Sequence, residues 1–240
     1  VKRAVEKVGM HTLKWAMINS KGLEHSGVDT RFTKGYALSF AVNPRGPDHL
    51  HTQVLAEYGA SPEALALIKK ITGDEKWASP FYTEYRAEIV RYYEDCYAVT
   101  DALGFCTFTG SVIHENPKVM AEVFSAATGI PISGEEIMLI GRRILTLEKC
   151  FNVREGADRK LDDLPWRMMN EPAPPGRLEG AVTSREELDK MLNKYYELHG
   201  WDPNTSWPYR ETLVALGLDD VAEELDKIGK LPKNSSKRKG

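Results

Sequence analysis

Two short stretches of this 240-residue chain carry residue types able to do chemistry. The first is Asp101-Ala-Leu-Gly-Phe-Cys106, an acid and a thiol bracketing a glycine. A thiolate is a ligand for iron, and a carboxylate accepts hydrogen bonds from an N–H-rich ring. The same letters also describe a helix C-terminus, with glycine as its cap and the cysteine buried as a small hydrophobe. A cubane iron–sulfur cluster is held by several cysteines, so Cys106 alone cannot hold one. The second stretch is Asn43-Pro-Arg-Gly-Pro-Asp-His-Leu-His51. Its prolines and glycine predict a stiff turn rather than a helix interior. Arg45 has the fork geometry that clamps a phosphate or carboxylate. His49 or His51 can move a proton near neutral pH. The bland alternative is a surface pair of histidines at a helix start. A metal site built on the pair would need a further ligand, and none is evident.

Other candidates read as structure. Cys96 lies on the same helical run as Asp101 but points elsewhere, and Cys150 sits beside an apolar stripe. Arg142-Arg143 and Glu148-Lys149 are expected to be solvated faces or ion pairs. Trp77, Trp166, Trp201 and Trp207 are expected to pin loops.

The elements that must position these residues are mostly helical. A serine cap and proline at Ser61-Pro-Glu-Ala open a short helix. Glu84 to Leu103 predicts a long helix, with Ile89, Val90, Tyr93, Tyr97, Thr100 and Leu103 at helical spacing and Gly104 as the stop. Asn116-Pro117 opens another, which ends near Gly129. The capping box Ser133-Gly-Glu-Glu136 starts a helix to about Arg154, with Ile137, Ile140, Ile144, Leu147 and Phe151 on one face. Ser184-Arg-Glu-Glu187 starts one with Leu188, Leu192 and Tyr195 inward and Gly200 at its end. Leu218 to Lys230 predicts a short amphipathic helix. Only Tyr36 to Val42 looks strand-like. The proline-rich run from Glu171 to Gly180 is expected to be surface rope within one unit, and the basic tail 233–240 to be disordered. The fold class is mainly α, with little strand and no internal repeat.

Composition narrows the classes further. A net charge of −3 gives no reason to expect nucleic acid. The three cysteines form no C-x-x-C pair, so neither a disulfide scaffold nor a self-contained zinc site is expected, and a reducing cytoplasm fits. No apolar run approaches the roughly 20 residues needed to span a bilayer, and no signal peptide is expected. Val1 falls inside a charged helical pattern, as expected of a processed product or a piece of something longer.

Several stretches together resemble one family. They are Lys21-Gly-Leu-Glu24, Lys34-Gly-Tyr-Ala-Leu-Ser-Phe-Ala-Val-Asn-Pro-Arg-Gly46, Arg86-Ala-Glu-Ile-Val90, Asp101 to Cys106, Phe151-Asn-Val-Arg-Glu-Gly156, Asp163-Leu-Pro165 and Tyr195-Tyr-Glu-Leu-His-Gly-Trp201. The chain is similar over nearly its whole length to the C-terminal part of the tungsten-containing aldehyde:ferredoxin oxidoreductases.

That resemblance implies a helical fold and a bis-pterin tungsten (or molybdenum) cofactor with a [4Fe–4S] cluster beside it. It implies oxidation of aldehydes to carboxylic acids, with electrons passed to ferredoxin. Residues 1–30 would end the middle helical domain, and 31–232 would form the C-terminal helical domain that binds pterin and cluster. Asp101 would hydrogen-bond the pterin, while Gly104, Phe105 (where leucine is usual) and Thr107 would contact the cofactor. Cys106 would be one cluster ligand. Arg45 and His51 would lie along the cofactor, and His49 would be the proton carrier, with His51 the alternative. Asp48 departs from the aldehyde enzymes and leaves the substrate open. The family's other cluster cysteines, a C-x-x-C-x-x-x-C run, are absent from this chain. The remainder of the enzyme, in the same or a separate chain, is therefore an expected partner. A benzoyl-coenzyme A reductase-type catalytic subunit, with electron-transfer subunits as partners, is the alternative within the family. Outside it, the alternative is a non-catalytic helical interaction module.

Overall fold

The computed structural model describes residues 1–106 and 116–233. Its named elements are all helical, accompanied among the described residues by two isolated β-bridges, Ile18 to Glu24 and Trp201 to Pro208. In chain order the α-helices are α1 (Lys2–Val8), α2 (Lys34–Val42), α3 (Pro62–Thr72), α4 (Arg86–Ala102), α5 (Pro117–Thr128), α6 (Gly134–Arg154), α7 (Trp166–Asn170), α8 (Arg185–His199), α9 (Arg210–Ala215) and α10 (Asp219–Lys227). Helix α4 is the hub, packed against α2, α3, α6 and α8. The main core lies where α2, α4 and α8 meet, around Tyr36, Leu38, Phe40, Ile89, Tyr93, Leu188 and Tyr196.

The helix starts follow local chemistry. Ser61, Asn116, Ser133 and Ser184 each accept a hydrogen bond from a first-turn backbone N–H, and Ser133 and Ser184 do so in reciprocal capping boxes with Glu136 and Glu187. Leu188, Leu192 and Tyr195 are buried as their spacing predicts.

The strand expected at Tyr36–Val42 is instead helix α2, every residue of which is buried. A helix buried all round has no polar face, and from Tyr36 to Val42 its sequence is apolar but for Ser39, a run that periodicity cannot distinguish from a buried strand. What makes it a helix is tertiary. Glu57 accepts from the backbone N–H groups of Gly35 (2.8 Å) and Tyr36 (3.3 Å), supplying the first turn with its missing partner. Arg86, fully buried, donates to Glu57 at 3.0 Å and to the carbonyls of Trp77 and Tyr82. Arg86 therefore ties α2, the 3-10 turns and α4 together.

Helices α4 and α6 run antiparallel in close contact. Arg142 pairs with Asp95 (Nε to Oδ1, 2.8 Å), and Met138 meets Cys96 (Sδ to Sγ, 3.4 Å). Between them Gly141 lets the backbones touch. A Cβ there would lie 2.1 Å from the Asp95 carbonyl oxygen. The buried side of α6 is set by this contact and runs through Ile137, Gly141, Leu145, Thr146, Lys149, Cys150 and Val153. Of the apolar face foreseen for this helix, Ile137 is buried, but Ile140, Leu147 and Phe151 are 43%, 46% and 56% exposed.

The run from Glu171 to Gly180 is anchored at its end. Ala173 and Ala181 bond through their backbones, Lys34 reaches the Val182 carbonyl (2.7 Å), and Thr183 donates to the Thr30 carbonyl (2.7 Å). No helix among the described residues is long and apolar enough to cross a membrane.

Candidate functional site

Asn43 builds the histidine turn. Its side-chain amide donates to the Asp48 carbonyl (2.9 Å) and accepts from the Arg45 N–H (2.9 Å). Gly46 sits at φ +98°, and a Cβ there would lie 2.5 Å from Leu23, so only glycine closes this turn without strain. Asn152, at the C-terminal end of α6, donates to the Pro44 carbonyl (3.0 Å) and holds the turn to that helix. Arg45 is exposed and paired with Asp48 (Nε to Oδ2, 2.8 Å). Asp48 also accepts from the Leu50 N–H. The guanidinium is thus already oriented by a carboxylate.

The two histidines differ in setting. His49 is half-buried, with Nδ1 3.2 Å from Ser26 Oγ. His51 is buried, with Nε2 3.0 Å from Glu148 Oε2 on α6. The helix-start reading fails, because no helix begins there. The following 3-10 turn starts only at Leu55.

Asp101 to Cys106 closes helix α4. The Gly104 N–H bonds the Asp101 carbonyl (3.1 Å) and the Phe105 N–H bonds the Thr100 carbonyl (3.0 Å), with Gly104 at φ +75°. This is a Schellman cap. Glycine as the helix cap is correct, but a buried cysteine is not. Cys106 is exposed, as are Asp101 and Gly104, and Phe105 is half-buried. Thr107 lies outside the described residues, as does the tail beyond Lys233. Asp101 is an acid in the last turn of a helix, where the backbone dipole disfavours negative charge, and it makes no ion pair among the described residues. Helix stability does not explain it.

The other thiols are sealed. Cys96 is 0% exposed, and burial of Cys150 pushes its thiol up to about 12. Among the described residues no group of three or more His, Cys, Asp or Glu could hold a metal ion. Cys106 is thus presented as a single donor. The antiparallel packing sets the C-terminal part of α4 beside the N-terminal part of α6, and His51 beside Glu148. At about 1.5 Å per residue the two clusters are on the order of 15 Å apart along that helix.

Between the turn and the core lies a polar cluster that residue types alone did not reveal. Asp162 is buried against Lys149 (3.2 Å), Lys21 (3.1 Å) and the Tyr196 hydroxyl (2.7 Å). Burial works to raise its pKa, but the two ammonium groups and the hydroxyl outweigh it, and the carboxyl is held below its ordinary value. Glu94 accepts from the Tyr195 hydroxyl (3.0 Å) and lies 2.7 Å from His199 Nε2. Burial pushes Glu94 up to about 8, opposed by Tyr195 and Arg91, and holds His199 well below its ordinary value. The available signal was the stretch Tyr195 to Trp201, whose rings pack on one another (Tyr195 to His199 centroids 4.2 Å, His199 to Trp201 4.7 Å). Trp201 is buried, and Trp207 donates to the Ala157 carbonyl (3.0 Å), pinning its loop as expected.

Comparison with known proteins gives the class to which this helical fold belongs. Residues 1–218 match the family model described as aldehyde ferredoxin oxidoreductase, domains 2 and 3, and the chain belongs to that family. It is 32% identical over 201 residues to the tungsten-containing aldehyde ferredoxin oxidoreductase of Pyrococcus abyssi, covering 83% of this chain and 30% of that protein. It is 27% identical over 230 residues to the WOR-like subunit of an aliphatic sulfonate oxidoreductase of Pyrococcus furiosus, covering 92% of this chain and 31% of that one. The solved BamBC active-site complex of benzoyl coenzyme A reductase with 1,5-dienoyl-CoA shares the fold, with a TM-score of 0.65 at 22% identity over 96% of this chain and 37% of that one. The chain spans about 30% of the length of the curated relatives it matches.

Proposed function

We propose that this chain is the C-terminal helical part of a tungstopterin and [4Fe–4S] oxidoreductase that oxidises aldehydes to carboxylic acids and passes electrons to ferredoxin. The observation that carries the reading is the presentation of Cys106 and Asp101. A Schellman-capped helix end displays both at the surface, while the chain's other two thiols are sealed. The donor set fits one edge of the cofactor pair and no more. Cys106 would supply one iron ligand, Asp101 would accept hydrogen bonds from the pterin's N–H groups, and Gly104, Phe105 and Thr107 would line it. When bound, the metal–pterin group and its cluster supply two-electron redox chemistry and an exit path for electrons.

The protein's own residues would orient and move protons. Asp48 fixes the Arg45 fork at the surface, where it can meet an anionic edge of the cofactor. Glu148 anchors His51 by Nε2. Among the described residues His49 is held through Nδ1 to Ser26, with Nε2 as the nitrogen that would exchange a proton with substrate, which favours it as the proton carrier. Residues 1–30 would close the middle domain, and 31–232 would form the pterin- and cluster-binding domain. The rest of the enzyme, which brings the other cluster ligands, would cover the exposed row of Ile140, Leu147 and Phe151 on α6. The lack of any disulfide among the described residues favours a reducing cytoplasm.

The test is metal analysis of the complete reading frame. Tungsten (or molybdenum) and iron should co-purify, and Cys106→Ala should lower the iron content. Unchanged iron in that variant removes Cys106 from the role, and a metal-free full-length protein ends the proposal. Parallel assays of aldehyde oxidation and aryl-coenzyme A reduction decide between the two branches of the family.

A further inference from the structure

A small cavity lies beneath the histidine turn. It has a volume of about 20 Å³ and is lined by Ser39, Asn43, His51, Glu94, Tyr195 and Trp201, among others. That is room for one water, and one water needs polar partners. Three are at hand. Glu94 Oε1 and Trp201 Nε1 are buried and make no hydrogen bond of ordinary geometry among the described residues. His51 commits Nε2 to Glu148, so Nδ1 is its remaining nitrogen, with Thr52 Oγ1 3.5 Å away. Glu148 is 43% exposed, so a path of polar groups leads from the interior to solvent.

We propose that Glu94 is a buried proton donor and acceptor, joined through one water in this cavity to His51 and from there to Glu148, so that the chain contains a proton relay of its own. In the outward step the Glu94 O–H bond breaks as the water takes that proton. The water gives another to His51 Nδ1, and His51 releases its Nε2 proton to Glu148. One proton leaves, one carboxylate forms, and no oxidant or reductant is needed. The charge left on Glu94 faces Arg91 and Asp95 of α4, Glu148 and Lys149 of α6, and Tyr195 and His199 of α8. Arg91, Lys149 and the Tyr195 hydroxyl favour it, while Asp95 and Glu148 oppose it. The close contact between Glu94 Oε1 and His199 Nε2 is off the axis of an ordinary hydrogen bond, although the atoms are 2.7 Å apart.

This goes beyond the proposed redox reading and survives its failure, because it concerns only residues of this chain. Infrared spectroscopy of the folded chain with ¹³C-labelled glutamate tests it. A neutral carboxylic acid band should be present at pH 7 and should fade with a midpoint near 8. It should vanish in Glu94→Gln and shift in Tyr195→Phe. Without the relay, hydrogen–deuterium exchange of this group requires local opening, so His51→Phe should slow exchange at the band by at least about 10-fold. Absence of the band, or a band that Tyr195→Phe leaves unmoved, overturns the assignment even if the Gln variant does not fold. Exchange as fast in His51→Phe as in the wild type overturns the relay.

Discussion

Glu94 and Asp162 are both buried carboxylates in one part of the molecule, and their surroundings drive them in opposite directions. Asp162 meets two lysines and stays charged. Glu94 meets a phenol, a neutral imidazole and a second carboxylate nearby, and burial lifts it to about 8. A Glu in the unfolded chain titrates near ~4.3. Between those two values the folded state binds more protons than the unfolded, so stability falls as pH rises through that window and is steady above it. His199 acts the other way. Its native pKa is depressed, so its contribution is present above the unfolded value of ~6.5 and is lost as pH falls. Comparing wild type with Glu94→Gln isolates the first effect. In urea unfolding at several pH values, the stability of the Gln variant relative to wild type should increase between about pH 5 and 8, with a slope no steeper than ~1.4 kcal/mol per pH unit. A difference independent of pH would mean that Glu94 titrates as an ordinary surface acid.

At the scale of elements, one glycine sets the spacing of the two longest helices. Alanine at position 141 would gain about 1 kcal/mol of helix propensity over glycine. The same methyl would lie 2.1 Å from the Asp95 carbonyl, where backbone rather than a flexible side chain must move. Overlap of that kind outweighs propensity, so Gly141→Ala should destabilise the chain by about 2 kcal/mol or more. It should also loosen the Arg142–Asp95 pair beside it. Thermal or urea unfolding checks the first, and a Gly141→Ala variant as stable as wild type would show that the helices are not so close. What was legible in the sequence follows the same division. The caps at Ser61, Asn116, Ser133 and Ser184 and the stop at Gly104 were readable because their chemistry lies within a few residues. Helix α2 was not, because the groups that make it a helix, Glu57 and Arg86, come from elsewhere in the chain. Lys149 was legible as a solvated charge or an ion-pair member, but not its burial or its partner Asp162, which another segment brings in. The exposure of Cys106 was not written in its residue type either, since cysteine is used both as a buried hydrophobe and as a ligand.

For the whole molecule, the apolar row on α6 asks for a cover. Ile140, Leu147 and Phe151 are each more than 40% exposed on one face of a helix whose opposite side is locked against α4. Scattered apolar residues need no explanation, but a contiguous row on a helix is the mark of an interface. The same helix presents Glu148 to His51, so whatever covers the row lies next to the histidine turn. The relatives are about three times the length of the matched segment, and under the proposed function the occupant is the rest of the enzyme, in the same or a separate chain. Replacing Leu147 and Phe151 together by glutamate separates folding from assembly. Both side chains are already about half exposed to water, so the isolated variant should unfold at nearly the same temperature as the wild type. In the complete enzyme the new carboxylates would lose hydration on docking without gaining partners, at a cost large enough to disrupt the contact. The full-length variant should then show loosened domains by limited proteolysis and reduced iron content. If the double variant assembles and retains metal like the wild type, the row faces solvent in the enzyme and the cover lies elsewhere.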